Sequence, residues 1–315
     1  MERTFRIEPA DHGGGIDAAA ARYGGAREGW LDLSTGINPR PYPLPDLDPG
    51  AWTALPDRAA FDRLEQAARR FWSVPDGAAV LAAPGASALI ARMPEVLAGD
   101  SVQIAGPTYN EHTRAFRRAG WTVAEGDSPP PAATVIVHPN NPDGKMHPLP
   151  ATPQRVIDES FCDVTPAASL IGQADRPGTL VLKSFGKFWG LAGLRLGLLI
   201  GDPALVARMD GLIGPWAVSG PALQIGAIAL QDQAWATATR HRLAADAARL
   251  DQLTGWPLMG GTDLFRLYDV GDAKAMQDRL ARHHIWTRIF PWSDRLIRLG
   301  LPDGAGWDRL GAALA

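Results

Sequence analysis

SFGKFWGLAGLRLG, Ser184 to Gly197, is the stretch whose reading decides the fold. Lys187 stands three residues after Ser184 and eight before Arg195, among Phe185, Gly186, Phe188 and Trp189. Aromatic and small neighbours take a lysine partly out of water, which lowers its pKa and makes a neutral amine available to condense with an aldehyde. Ser184 and Arg195 add a hydroxyl and a planar cationic fork, the donors that a phosphate group needs. Gly186, Gly190, Gly193 and Gly197 allow close approaches that a Cβ would forbid, as a loop wrapped around a small molecule requires. The plainer reading of the same residues is a glycine-rich surface loop carrying a solvated lysine and arginine.

Working outward, four further places answer needs of one cofactor. Pro84-Gly85-Ala86-Ser87 falls between an apolar run and a helical pattern, where free N–H groups and the positive helix end favour a phosphate, though Ser87 as a simple helix cap explains it equally. Asp158 ends the apolar run of RVIDESF, where a carboxylate is costly without a cationic partner, and a protonated pyridine nitrogen is one such partner. The alternative is an acidic residue capping the next turn. Asn141 in HPNNPDG is placed to donate to a phenolate oxygen, or is only part of a turn. Tyr109 in GPTYNEH is placed to stack on an aromatic ring, or is a core tyrosine. An aldehyde, a phosphate, a pyridine nitrogen and a phenolate together describe pyridoxal phosphate. Arg298, inside the apolar run RLIRLGLP, wants an anionic partner, either a substrate carboxylate or an internal salt bridge, and Arg288 is a second candidate.

Composition bounds the alternatives. The chain has 315 residues, enough for a large core and for two domains or one domain with a smaller lobe. Hydrophobic residues make up 46% and charged residues 21%, which is globular, and the net charge of −3 offers no broad attraction to nucleic acid or an anionic membrane. Phosphate recognition is therefore expected to be local. The single cysteine, Cys162, admits no intrachain disulfide and suits a reducing cytoplasm. No apolar segment reaches the roughly 20 residues of a membrane span, and the opening residues carry no signal-peptide core. His283 and His284 are adjacent and diverge on a helix, so no metal is expected.

Along the chain, residues 1 to 45 read as a Gly- and Pro-rich arm with one short helix at Ile16 to Tyr23. Ala59 to Trp72 carries a helical stripe. Seven short apolar runs follow as strands: Ala79 to Ala83, Val102 to Ala105, Thr122 to Glu125, Thr134 to His138, Arg155 to Asp158, Leu180 to Lys183 and Leu196 to Ile200. Interleaved with helices such as Ser87 to Leu97, they argue for a mostly parallel sheet covered on both faces, with sites gathering at strand ends. Ser128 to Pro131 reads as a polyproline connector. Beyond Pro215 come two Ala-rich helices, Pro221 to Asp232 and Ala234 to Leu253, and then a small α+β lobe: strands at Phe265 to Tyr268, Trp286 to Ile289 and Leu296 to Leu299, helices at Ala273 to His284 and Trp307 to Leu314.

Asn141, Asp158, Lys187 and Arg195 occur in this order, in NNPDG, DES and K followed by GLAGLR, and the set resembles the fold-type I pyridoxal phosphate enzymes of the class I and II aminotransferase superfamily. The HGGG at His12 to Gly15, DLSTGINP at Asp32 to Pro39 and DESFCDVTP at Asp158 to Pro166 resemble most its carboxy-lyase branch, beside which stand the histidinol-phosphate aminotransferases. The resemblance implies a seven-stranded, mostly parallel sheet with helices on both faces in a large domain over 46–218, and a small α+β domain over 219–315 joined by the arm 1–45. It also implies a homodimer with the active site at the interface. The implied reaction is decarboxylation of L-threonine O-3-phosphate to (R)-1-amino-2-propanol O-2-phosphate in cobalamin biosynthesis, with transamination of a phosphorylated substrate such as histidinol phosphate as the alternative.

By the same resemblance Lys187 binds the cofactor aldehyde, Asp158 the ring nitrogen and Asn141 the phenolate oxygen, while Tyr109 stacks on the ring. Ala86, Ser87, Ser184 and Arg195 go to its phosphate. Arg298 and Arg288 go to substrate, as do Asn38 and the arm residues His12 and Gly13. Phe161 stands where most aminotransferases have a tyrosine that bonds the cofactor oxygen, which favours the carboxy-lyase branch, and Leu55 replaces a tyrosine that often reaches the partner's cofactor phosphate. Neither a dehydrogenase nor a DNA-binding regulator fits: GLAGLRLG lacks G-x-G-x-x-G spacing and the arm is too short for a helix-turn-helix.

Overall fold

The structure is a computed structural model that describes residues 12–124 and 131–315. The first eleven residues of the arm, Glu125 of the third expected strand, and Ser128 to Pro130 of the expected connector lie outside the described residues. The arm carries helix α1 (Ile16–Tyr23) and strand β1 (Leu31–Asp32), and the one-turn helix α2 (Gly50–Thr53) follows it. Helix α3 (Arg58–Trp72) starts where the Asp57 side chain accepts a hydrogen bond from Ala60 N, and buries Leu64, Ala67, Ala68 and Trp72 along one stripe.

An α/β alternation follows: β2 (Ala79–Ala83), α4 (Ala86–Val96), β3 (Ser101–Ile104), α5 (Asn110–Arg118), β4 (Thr122–Ala124), β5 (Ala133–Val137), β6 (Gln154–Asp158), β7 (Thr179–Ser184) and β8 (Gly197–Gly201). These seven strands form one sheet in the order β2-β8-β7-β6-β5-β3-β4. Neighbours are parallel except at β8, which runs antiparallel to both β2 and β7. The seven expected strands are all present, each within a residue or so of its expected bounds.

Alternation along the strands sorts the core into two faces. Val135, Val156, Leu180, Leu182 and Leu199 pack with Leu89 and Met93 of α4, Phe116 of α5 and, from helix α6 (Pro203–Ile213), Val206 and Met209. Their strand neighbours Ile136, Ile157, Val181, Leu198 and Ile200 pack on the opposite face with Leu64 of α3 and with helices α7 (Gly220–Ala229) and α8 (Gln233–Thr254). Residues one apart on a strand point to opposite faces, so a sheet covered twice reads as continuous apolar runs.

The rest is β9 (Leu258–Thr262), β10 (Phe265–Asp269), α9 (Ala273–Arg282), β11 (Ile285–Trp286), β12 (Arg288–Phe290), β13 (Ser293–Gly300) and α10 (Gly306–Leu314). Strands β12-β13-β10-β9 make an antiparallel sheet, while β11 pairs in parallel with β1 of the arm through Leu31 and Ile285. The strand expected over Trp286 to Ile289 is thus two strands in two sheets, with Thr287 as the joint. Strands β1 and β9 carry no sequence signal of their own: one has two residues, and the other contains Gly260 and Gly261. Helices α5 and α6 were also not delimited from the sequence.

Candidate active site

The sheet topology explains why distant residues meet. Parallel strands β2, β3, β5, β6 and β7 all end at one edge, which places the Gly85 turn, Tyr109, Asn141, Asp158 and Lys187 along it. Because β8 is reversed, its first residue, Gly197, lies opposite both Ala83 and Ser184, and Arg195 just before it reaches the same edge.

There Gly85 (φ 87°) precedes α4, whose first turn has no side-chain cap, so its backbone N–H groups remain available to an anion. A Cβ on Gly85 would lie 2.5 Å from Arg195 Nη2, so glycine is what lets the guanidinium close over the turn. Arg195 itself is left-handed (φ 54°, ψ 48°) and is steadied by a 2.9 Å bond from Nη1 to Ala192 O. Ser184 Oγ accepts from Gly186 N at 3.2 Å and keeps its proton to donate. A hydroxyl, a cationic fork and a helix N-terminus around one glycine-lined turn fit a phosphate monoester.

Lys187 Nζ sits 5.2 Å from the Phe161 ring centre. Burial, helped by the Arg298 and Arg195 charges and opposed by Asp158, pushes its pKa down to about 8. Arg298 is buried in β13 and lies over the Phe265 ring. Its Nη1 donates to Asn141 Oδ1 and its Nη2 to Ser34 O (2.6 Å), and burial together with Arg288 lowers its pKa to about 9. With its oxygen taken, Asn141 is left with its amide hydrogens to donate, which suits a phenolate.

Asp158 is 2% exposed. Its Oδ2 is 2.9 Å from His112 Nε2, and Oδ1 accepts from Ser160 N at 3.0 Å and Ser160 Oγ at 2.5 Å. Burial opposes the charge, but the His112 and Ser160 bonds and the His112 charge outweigh it, and its pKa lies below the ordinary carboxylate range. An ionised buried carboxylate is what a pyridinium nitrogen requires. Tyr109 rises beside it, with its ring 6.1 Å from His112 and 5.9 Å from His12. Burial raises its phenol pKa, so the hydroxyl stays protonated.

A cavity of about 1140 Å³ gathers His12, Gly13, Tyr109, Asn141, Phe161, Lys187, Arg288 and Arg298. The start of the arm folds back on Ser34, a later arm residue: a Cβ on Gly13 would lie 2.4 Å from Ser34 O, Gly14 N donates to Ser34 Oγ at 2.6 Å, and His12 Nε2 reaches Glu111 Oε1 at 3.0 Å. Asn38 departs from its expected substrate contact. It is 2% exposed, with Nδ2 on Phe188 O, Oδ1 taken by Arg40 N and Arg242 Nη2, and its backbone N–H on Lys187 O. It clamps the lysine loop from behind instead of lining the cavity, because every one of these bonds lies inside the chain. Leu55 is 68% exposed and away from the cavity lining.

Sequence reasoning did not single out His112, nor Arg114, Arg117 and Arg118, which also line the cavity. The helical spacing of 110, 113, 114, 117 and 118 on one face was the available signal, hidden because α5 was not delimited.

A family model described as aminotransferase class I and II matches residues 127–299. A threonine-phosphate decarboxylase of a Sinorhizobium species is 41% identical over 98% of each chain. Another from Pseudomonas aeruginosa is 41% identical over 96% of this chain and 97% of its own. A solved histidinol-phosphate aminotransferase from Sinorhizobium meliloti, in complex with pyridoxal-5'-phosphate, matches in fold with a TM-score of 0.80 at 20% identity, covering 100% of this chain and 97% of that one.

Proposed function

We infer, for a chain that belongs to the class I and II aminotransferase family, a pyridoxal-phosphate-dependent carboxy-lyase that acts as a threonine-phosphate decarboxylase. It converts L-threonine O-3-phosphate to (R)-1-amino-2-propanol O-2-phosphate and CO₂, a step of cobalamin biosynthesis. The observation that carries this reading is the near full-length identity to two decarboxylases. The fold alone does not choose, since an aminotransferase shares it.

Bound pyridoxal phosphate supplies an aldehyde for the substrate amine and a ring that takes up the electron pair left at Cα when CO₂ departs. We assign the protein's residues as follows. Gly85, Ala86, Ser87, Ser184 and Arg195 hold the phosphate, and Tyr109 lies against the ring. Asp158, kept ionised by His112 and Ser160, pairs with the ring nitrogen, and Asn141 donates to the phenolate oxygen. Lys187 bears the cofactor and, with a pKa near 8, holds or yields a proton at Nζ for reprotonation of Cα. Two of the five Arg298 N–H donors are spent on Asn141 and Ser34, which leaves three for the substrate carboxylate. His12, Gly13 and Arg288, which line the same cavity, are assigned to the substrate.

The working enzyme is a homodimer in this reading, in the cytoplasm, with domains over 46–218 and 219–315 and the arm 1–45 folded against them. Exposed Leu44, Trp52, Leu55 and Trp216 offer apolar surface for a second copy. Purified protein incubated with L-threonine O-3-phosphate should release CO₂, and histidinol phosphate should not be transaminated. Amino transfer from glutamate to an oxo acid without CO₂ release would overturn the decarboxylase assignment, and a monomeric mass by light scattering would overturn the dimer.

A further inference from the structure

The chain carries more acidic than basic residues, 34 against 31, yet among the described residues every charged side chain lining the cavity is basic. Arg298 is the buried member of that lining, and Lys187 and Arg288 are half-buried. Arg114, Arg117 and Arg118 are different: all three are exposed, and they sit on one face of α5 at helical-neighbour spacing. Arg114 is only loosely tied, 3.4 Å from Glu111 Oε1, and among the described residues no carboxylate lies within ion-pair distance of Arg117 or Arg118. Like charges at this spacing repel each other, and an anion between them removes the repulsion. The C-terminal end of a helix favours cations, but that preference does not explain why these side chains face the cavity that holds Lys187.

We propose that Arg114, Arg117 and Arg118 form an outer capture site for the phosphate monoester of the incoming substrate, from which the substrate passes inward to Arg298. The proposal rests on the phosphorylated substrate inferred above. A phosphate monoester brings about −1.5 to −2 charges at neutral pH, and threonine itself brings none net, so this row selects for the phosphorylated amino acid before any contact near Lys187 forms. A cleft of one sign concentrates an oppositely charged ligand by about 10- to 1000-fold, with a strong dependence on salt. Because the row lies at the exposed end of the cavity, it governs capture and leaves the chemical step alone.

The test uses the holoenzyme, whose cofactor phosphate already fills the Arg195 cradle, and compares Arg117→Ala/Arg118→Ala with Arg117→Lys/Arg118→Lys. Two quantities are read: kcat/KM for threonine phosphate, and the calorimetric Kd of inorganic phosphate, each at ionic strengths of about 0.02 M and about 0.5 M. At low salt the alanine pair should lose about tenfold in both, with kcat unchanged, while the lysine pair keeps most of both and the differences fade at high salt. Unchanged kcat/KM or phosphate affinity in the alanine pair, or an equal loss in the lysine pair, overturns the capture site. If wild-type protein releases no CO₂, the decarboxylase reading fails and the capture site is judged on phosphate affinity alone. If CO₂ is released but the alanine pair matches wild type, the capture site fails and the decarboxylase reading stands.

Discussion

Arg298 Nη1 donates to Asn141 Oδ1 across 157 positions of sequence, and this bond joins the residue assigned to the substrate carboxylate to the residue assigned to the cofactor oxygen. One side of the pair sits in the small antiparallel sheet and the other just past the end of a strand in the large one, so the bond ties the two assigned positions to each other across the two sheets.

Breaking that contact tests it. Hydrogen bonds to charged groups contribute about 1.5 to 3 kcal/mol. Asn141→Ala should therefore raise KM for threonine phosphate about 10- to 150-fold and loosen the cofactor at the same time. A rise in KM with unaltered cofactor affinity would separate the two roles and refute the coupling.

The lowered pKa of Lys187 sets a pH profile for cofactor loading. Below about 8 most of the amine is protonated and cannot attack an aldehyde. The rate at which apoprotein takes up pyridoxal phosphate, followed by absorbance, should climb about tenfold per pH unit below 8 and level off above it. Burial is the main cause and the Arg298 charge the next, so Arg298→Gln should move the break to higher pH. A break that stays in place would remove Arg298 from the cause.

Asp158 makes a stability prediction of the opposite kind. Its folded pKa lies below the unfolded value of about 3.9, so its contribution is fully present above that value and is lost as pH falls through the folded pKa. The gap in urea midpoint between wild type and Asp158→Asn should be largest near neutrality and shrink below about pH 4. In the assay the same variant should lose about 10² to 10³ in kcat, the usual effect of removing a fixed group aimed at developing charge. A gap in midpoint that is constant with pH would show that the Asp158 charge does not stabilise the fold.

Gly85→Ala addresses the phosphate cradle. The new methyl would sit 2.5 Å from Arg195 Nη2 on a backbone with φ 87°, where strain costs about 1 to 3 kcal/mol. Cofactor affinity should fall by about tenfold or more, measured by equilibrium dialysis, with the far-ultraviolet circular dichroism retained. Undiminished affinity would show that Arg195 does not close over this turn.

Several parts of this protein follow from local sequence alone, because they rest on local physics. Apolar runs of strand length broken by Gly and Pro determined the seven strands, and the residue types around Lys187, Asp158, Asn141 and the Gly85 turn determined which cofactor chemistry is available. Tertiary structure decided what no local window contains. The reversed direction of β8 brings Arg195 beside Gly85. His112, on a helix without a strong apolar signal, becomes the partner that keeps Asp158 ionised. Asn38, expected at the substrate, turns inward because the Phe188 carbonyl and the Arg242 side chain consume its amide. In each case the outcome depends on which strand lies beside which and on which buried polar groups need partners, and those are properties of the packed chain, not of any one segment.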